Sequence, residues 1–586
     1  MARMYTQRCG SSTSDSSRGT GDKADLGKWD TALQISSHDI RQSSDNSKST
    51  EGDRAAGGEE SRKSAVEYFS TFTGRTFLEG QEESISKIDE AFKRYRFVLA
   101  DLPTGSGKSY VGMCFALQSG NAHILTPQKI LQDQYATEEV FAPHVFVMKG
   151  KSNYACQVRE VDTLGNEIQV SCVEGECNRN KDRRLLKGCP YRKALAIAAK
   201  HPIVVHNFDS FYYQSRAHIF GARKLMVVDE AHNIEGKFLN FVSFSISNWK
   251  DRTEKIPKFD KIAQYDDFLS KKLVALHEEH EFLFQKLDDE GSITKAELKR
   301  KNELEDVIEK LAMYLRTRET AEYVFDWVDH RERDYQSVTF RPVFVGDFVK
   351  NRLLPFGERV LMMSATVGDK KLFCKSVGLN PDEVAYITTP SHFPVKNRPI
   401  VKRYVGSMNF ASRDETLPKL VKEITKLLAK HPSRKGIIHT GSELVARYIQ
   451  ANLFDPRLTF NKDYPSVDEM MRVHTEKEGS FIVASGLREG LDLKGDLSRV
   501  QIIAKIPYPD LGDKRVARRK AIDPSWYGYM TALSFVQSIG RSVRSKTDKA
   551  ITYVLDESFE NFVHWNRKFI PKYVVEAIRR QGHHGR

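Results

Sequence analysis

One nine-residue stretch constrains this chain more than any other. Asp101-Leu-Pro-Thr-Gly-Ser-Gly-Lys-Ser109 follows the apolar run Phe97-Val-Leu-Ala100 and opens a helical pattern. In a strand–loop–helix unit of this kind, glycines let backbone N–H groups converge on phosphate oxygens, and the helix N-terminus adds positive potential. Thr104, Gly105, Ser106 and Gly107 would form that cradle. Lys108 is placed to reach the β- and γ-phosphates, and Ser109 to ligate magnesium. The first glycine of the general motif is Leu102 here.

Such a loop belongs at the end of a buried parallel strand, and the surrounding text supplies more of them. His123-Ile-Leu-Thr126, Ile203-Val-Val-His206, Leu225-Met-Val-Val228 and Val360-Leu-Met-Met363 are short apolar runs closed by turns and separated by helical patterns. The same texture resumes with Gly436-Ile-Ile-His439, Phe481-Ile-Val-Ala484 and Val500-Gln-Ile-Ile503. The expected fold class is therefore α/β, with two parallel-sheet units. Val227-Val-Asp-Glu-Ala-His-Asn233 puts Asp229 and Glu230 at the C-terminal end of a strand, where α/β sheets bind ligands. Asp229 would hold magnesium and Glu230 would polarise an attacking water.

Between 236 and 355 the pattern changes. Leu269, Leu273, Leu276, Leu283 and Leu287 keep near-heptad spacing, Asp288-Asp-Glu-Gly291 breaks the run, and Thr294 and Glu297 have capping-box spacing before Leu304, Ile308, Leu311 and Leu315. This predicts a helical hairpin inserted into the first α/β unit. Residues 1–62 hold 24 Ser, Thr or Gly and little apolar periodicity, the composition of a disordered segment.

The formal net charge is +13, and residues 1–62 carry nine Lys/Arg against ten Asp/Glu, so the excess lies on the folded body and favours a polyanionic partner. Two basic runs are candidates for phosphate contacts: Lys514-Arg-Val-Ala-Arg-Arg-Lys520, and the tail with Arg567, Lys568, Lys572, Arg579 and Arg580. No run is long enough to span a membrane and no signal-peptide core follows Met1, which argues against a membrane or secreted protein. Of seven cysteines, Cys156, Cys172, Cys177 and Cys189 fall within 34 residues, a local cluster rather than a disulfide framework. Four thiolates suit tetrahedral zinc or a [4Fe–4S] cluster, and the ligand chemistry leaves both open.

Further motifs carry a family resemblance. Gly80-Gln81 resembles an adenine-reading Q motif, Thr126-Pro-Gln-Lys-Ile-Leu-Gln-Asp-Gln134 a DNA-touching motif Ia, and Ser364-Ala-Thr366 a motif III. Gly486-Leu-Arg-Glu-Gly-Leu-Asp492 resembles motif V, and Gln537-Ser-Ile-Gly-Arg-Ser-Val-Arg544 motif VI. Together with the Asp-Glu-Ala-His spelling, these make the chain similar to the iron–sulfur superfamily 2 DNA helicases typified by XPD and DinG. The resemblance implies two RecA-like motor domains, the first carrying a small Fe–S domain and a helical arch. The expected boundaries are a disordered segment at 1–62, motor domain 1 at 63–147, 193–235 and 356–398, the cluster domain at 148–192, the arch at 236–355 and motor domain 2 at 399–586.

It further implies an ATP-dependent DNA helicase, moving 5′→3′ on single-stranded DNA and opening single-strand/duplex junctions in repair, recombination or replication. ATP, Mg²⁺ and a [4Fe–4S] cluster on the four cysteines are the implied cofactors. Gln81 and Thr104–Ser109 would bind nucleotide; Lys108, Asp229, Glu230, Gln537, Arg541 and Arg544 would serve catalysis. His232, Ser364, Thr366, Gly490 and Asp492 would couple hydrolysis to DNA. The three-residue spacing of Arg541 and Arg544 predicts one shared helix face. Motor motifs do not read the sugar, so an RNA or RNA–DNA hybrid helicase is the alternative, with a non-hydrolysing Fe–S sensor behind it. A monomer in a reducing compartment is expected, cytoplasmic or nucleoid, or nuclear in a eukaryote.

Overall fold

The computed structural model describes residues 64–161, 164–486 and 493–579. The Ser/Thr/Gly-rich segment, Gly490, Asp492 and Arg580 lie outside the described residues.

Two seven-stranded parallel sheets form the body. The first contains β1 (Phe97–Asp101), β2 (Ala122–Thr126), β3 (Phe146–Met148), β4 (Ile203–Asn207) and β5 (Arg223–Val228). An antiparallel three-stranded sheet follows in the chain: β6 (Phe244–Ser247), β7 (Tyr323–His330) and β8 (Tyr335–Pro342). The first sheet is then completed by β9 (Gly357–Ser364) and β10 (Val384–Thr388), in the order β10-β1-β9-β5-β2-β4-β3. The second runs β13-β14-β12-β15-β16-β11-β17, with β11 Ile400–Gly406, β12 Gly436–His439, β13 Leu458–Phe460, β14 Phe481–Ala484, β15 Val500–Ile503, β16 Ile551–Asp556 and β17 Ile578–Arg579. Their central strands are buried on both faces, which is why they read as unbroken apolar runs.

The strand order places the site. β1 lies beside β9, and β9 beside β5, all parallel. The C-terminal ends Asp101, Ser364 and Val228 therefore emerge side by side, and helix α1 (Lys108–Ser119) starts above them.

Helices α2 (Ile234–Val242), α3 (Tyr265–Glu290) and α4 (Lys295–Thr317) follow the carboxylate pair. The leucine stripes of α3 and α4 are buried against one another, with Gly291 left-handed at φ +75° after α3 and a Thr294–Glu297 capping box opening α4. The region is not all helical, as the leucine stripes alone suggested. The three-stranded sheet packs at the base of the hairpin, and Val338 and Phe340 of β8 alternate into its core. No described helix is long and apolar enough to cross a membrane.

Candidate nucleotide and metal sites

Strand β1 delivers the loop at Leu102, which is fully buried and whose N–H donates to the Ser364 carbonyl at 2.8 Å. At this position the chain uses an apolar anchor in place of the customary glycine. Gly105 and Gly107 are left-handed, at φ +79° and +75°, as the turn into α1 requires. A Cβ on Gly107 would stand 2.4 Å from Gln81 Nε2; one on Gly105 would stand 2.4 Å from Phe393 Cζ and 2.7 Å from the Arg544 carbonyl oxygen. The Ser106 hydroxyl is buried with no partner, as expected where a ligand oxygen would complete it. Gln81 is itself buried, its carboxamide accepting from Leu78 N (3.0 Å) and donating to Gly107 O (3.4 Å). It braces the phosphate loop.

Asp229 follows β5, its N–H donating to Leu125 O at 2.9 Å. Glu230 takes a left-handed conformation (φ +48°), which turns its carboxylate toward Lys108 Nζ at 3.6 Å and His232 Nδ1 at 3.4 Å. Burial and then the Glu230 charge push Asp229 up to about 6. Burial also works to raise Glu230, but Lys108, His232, Arg544 and Arg541 outweigh it and hold the carboxyl below its ordinary value. A buried site with one carboxylate kept charged and another waiting for a cation suits Mg²⁺–phosphate chemistry, with Ser109 and Asp229 as the residues that would hold the ion.

From Glu230 a polar chain crosses to the second sheet. His232 Nδ1 lies 2.9 Å from Ser364 Oγ, Ser364 Oγ accepts from Thr366 N at 3.1 Å, and Thr366 Oγ1 accepts from Gln537 Nε2 at 3.3 Å. Gln537 sits near the end of a helix, Pro524–Ile539. Arg541 and Arg544 do not share a helix face, as their spacing suggested: the helix stops at Ile539, Gly540 donates back to Val536 O, and both arginines lie in the turn beyond. The buried Ser542–Ser498 hydroxyl bond (2.7 Å) pins that turn. The charges of both guanidiniums nonetheless help to hold the Glu230 carboxyl down.

The thiols of Cys172, Cys177 and Cys189 come within 4.8 Å of one another, and Cys156 is buried in the same cluster, walled by Tyr154, Val158, Leu185, Leu186 and Tyr191. A Cβ on Gly175 would be 2.5 Å from Cys156 Sγ, so glycine is needed there for the thiol to reach the others. The Cys172 thiol donates to Cys177, holding Cys177 down to about 6 despite its burial, with Lys151 assisting; the same contact raises Cys172. Four buried thiols, one already biased toward thiolate, fit a metal centre. Cys189 also caps the helix Pro190–Lys200, whose Ala198 carbonyl, with those of His201 and Pro202, accepts from the Arg223 guanidinium at 2.8–3.0 Å. Backbone bonds tie this segment to the hairpin tip: Lys181 N to Gly291 O (2.8 Å) and Ile293 N to Arg179 O (2.7 Å).

Several site residues carry no sequence signal of their own. The buried Tyr135 hydroxyl lies toward Ser109 and Asp229; burial and the Asp229 charge hold it well above the ordinary tyrosine value. Asp101 accepts from Tyr386 Oη at 3.0 Å, and burial raises its carboxyl. Thr126 of the motif Ia-like segment is buried with its hydroxyl donated to Gln128 O, so that hydroxyl does not face a ligand. The 514–520 run is likewise spent on protein: Arg515 and Arg519 are buried, and Arg518 pairs with Glu322.

Comparison with known proteins agrees with this geometry. Residues 420–574 match the family described as helicase C-terminal domain, and residues 76–268 that of the type III restriction enzyme res subunit. The probable ATP-dependent helicase MJ0942 of Methanocaldococcus jannaschii is 22% identical over 614 residues, covering 83% of this chain and 92% of that protein. The ATP-dependent DNA helicase YoaA of Haemophilus influenzae is 20% identical over 585 residues, covering 81% and 90%. Among solved structures, an XPD helicase superposes with a TM-score of 0.60 at 14% identity, covering 84% of this chain and 98% of that one, which shows a shared fold. The two parallel sheets, the phosphate loop and these matches are together those of a helicase-type protein. Within that class, the chain is similar to helicases of the XPD/DinG type.

Proposed function

We propose that the protein is an ATP-dependent DNA helicase that translocates 5′→3′ on single-stranded DNA and opens junctions with duplex. The observation that carries this reading is the polar chain from Glu230 through His232, Ser364 and Thr366 to Gln537, which joins the phosphate site to the other sheet. Lys108 and the loop N–H groups hold the phosphates, and Glu230 takes the proton of the water that attacks the γ-phosphorus. Arg541 and Arg544 stabilise the charge on the departing ADP oxygen and the transferred group. Those arginines reach the phosphate only when the two sheets are together, so hydrolysis and cleft opening are linked, and DNA affinity alternates between the two states. Ser109 and Asp229 would hold Mg²⁺, which when bound neutralises phosphate charge.

Cys156, Cys172, Cys177 and Cys189 would hold a [4Fe–4S] cluster in this reading, which when bound would covalently staple their segment. Exposed Arg567, Lys568, Lys572 and Arg579 supply part of the positive surface for the strand. The test is ATP-dependent unwinding of duplexes with a 5′ or a 3′ tail, in DNA and in RNA, beside Lys108→Ala. Opening of the 5′-tailed DNA alone, abolished in the variant, is the expected result. Activity on the 3′-tailed duplex alone, or on RNA alone, overturns it.

A further inference from the structure

The basic run at 514–520 forms helix α5 (Lys514–Ile522), which leads at Asp523 into helix α6 (Pro524–Ile539). Both are joined by chain to the second sheet, and α6 shares a buried core with Ile400, Ile503 and Val554 of its strands. The arginines of α5 nevertheless end inside the first half of the molecule. Arg515 Nη2 donates to Glu235 Oε1 at 2.7 Å and Arg519 Nη1 to the same oxygen at 3.3 Å. Trp526 Nε1, in the first turn of α6, lies 3.4 Å from Glu235 Oε2. Arg515 Nε also donates to Pro342 O (2.9 Å) and Arg519 to Val343 O (3.1 Å), and the Arg519 guanidinium stacks 4.2 Å from the Phe344 ring. Arg519 is 1% exposed. Lys375–Asp523 at 2.8 Å adds a tie at the elbow between the helices.

Glu235 belongs to α2, five residues after Glu230. At the other end of α6 are Gln537 and, just beyond it, Arg541 and Arg544. The 16 residues of α6 span about 24 Å, so a rotation of about 10° at the anchored end carries the far end about 4 Å. That displacement is enough to make or break contacts with a phosphate. A buried charge cluster is a costly way to hold two bodies together, since apolar residues of similar volume pack at least as stably, but it fixes orientation through directed bonds.

We propose that α5, pinned by Glu235 to the carboxylate-bearing side of the cleft, is the fulcrum about which the two sheets turn. Helix α6 is the lever that carries Gln537, Arg541 and Arg544 to and from the phosphate site. Glu235, Arg515 and Arg519 are then positioning residues: they touch no substrate, and they set where the arginines arrive. This rests on the reading of the protein as an ATP hydrolase.

Two experiments on the full chain test it. The first replaces the cluster by apolar residues (Glu235→Met, Arg515→Leu, Arg519→Met) and follows ATP hydrolysis per nucleotide-binding site. A melting temperature near that of wild type, a KM for ATP within threefold and a kcat at least tenfold lower are expected. A folded triple variant with wild-type kcat overturns the proposal, as does one whose loss lies only in the fraction of active sites. The second measures hydrogen exchange of the wild-type protein with and without ADP and beryllium fluoride, and does not depend on the variant folding. Amides of 515–522 should keep their protection while those of 540–548 change, and an equal change in both segments overturns the fulcrum. Absence of ATP turnover in wild type would count against the hydrolase reading, and the exchange pattern would still report on the hinge.

Discussion

Gln537 donates to the Thr366 hydroxyl across the cleft, at 3.3 Å, and so links a helix packed on the second sheet to the loop that follows β9 in the first. Thr366 is in turn bonded through Ser364 to His232. A chain of this kind acts as a unit, so its members should not contribute independently. Thr366→Val and Gln537→Ala are each expected to lower DNA unwinding about tenfold, and the double variant to do little worse than either. Strand-displacement rates for the four proteins of the cycle decide it; additive losses would mean that the contact transmits nothing.

Gly105 offers a test of the loop geometry. Gly105→Ala must place a methyl group in a left-handed backbone, against the Phe393 ring and the Arg544 carbonyl. Nucleotide affinity should fall at least tenfold, with strain of about 1–3 kcal/mol. Titration with a fluorescent ADP analogue and thermal melting measure the two effects separately.

The cysteine cluster predicts a composition as well as a phenotype. Purified without oxygen, the protein should contain about four irons per chain and little zinc, with a broad absorbance in the visible region. Cys177→Ser should abolish the metal and unwinding while leaving part of the ATPase, since the phosphate loop is built elsewhere. Elemental analysis showing one zinc per chain would replace the iron–sulfur assignment.

A pH dependence is built into the first sheet. His123 on β2 and His206 on β4 are buried side by side, with ring nitrogens 3.2 Å apart. Burial and Arg223 push His123 down to about 3 from 6.5. A depressed histidine leaves the folded state binding fewer protons than the unfolded chain. Its stabilising effect is therefore complete above pH 6.5 and declines as pH falls toward 3. From pH 7 to pH 5 the loss from this group should be roughly 2 kcal/mol. Urea unfolding of wild type and His123→Asn at both pH values should show a shallower pH slope in the variant.

Much of the site could be read from the sequence because each motif is a short segment with its own local chemistry. The loop from Asp101 to Ser109, the Asp229–Glu230 pair after an apolar strand and the four cysteines lie together within their segments or on neighbouring strand ends. What escaped were relations between distant segments. The arginines of 514–520 look like any basic run, since nothing in their spacing says that Glu235 waits for them 280 residues earlier. Arg541 and Arg544 have helical spacing, but Gly540 ends the helix before them. Strands β7 and β8 were hidden because leucine periodicity in the neighbouring helices dominates the region, and a half-exposed antiparallel strand carries only a weak alternating pattern.

Arg223 stands at the start of the strand that leads into Asp229, and it grips the end of a helix whose first turn begins at Cys189. Ligand binding that favours the folded arrangement of the thiols is therefore felt along a helix and a strand in series. By mass action, a metal bound only by the folded chain adds its binding free energy to folding. Part of that free energy would stabilise the catalytic sheet and not only the small segment that carries the cysteines. A metal held by these thiols would thus set how much of the chain is folded, and not only what its cysteine segment can do.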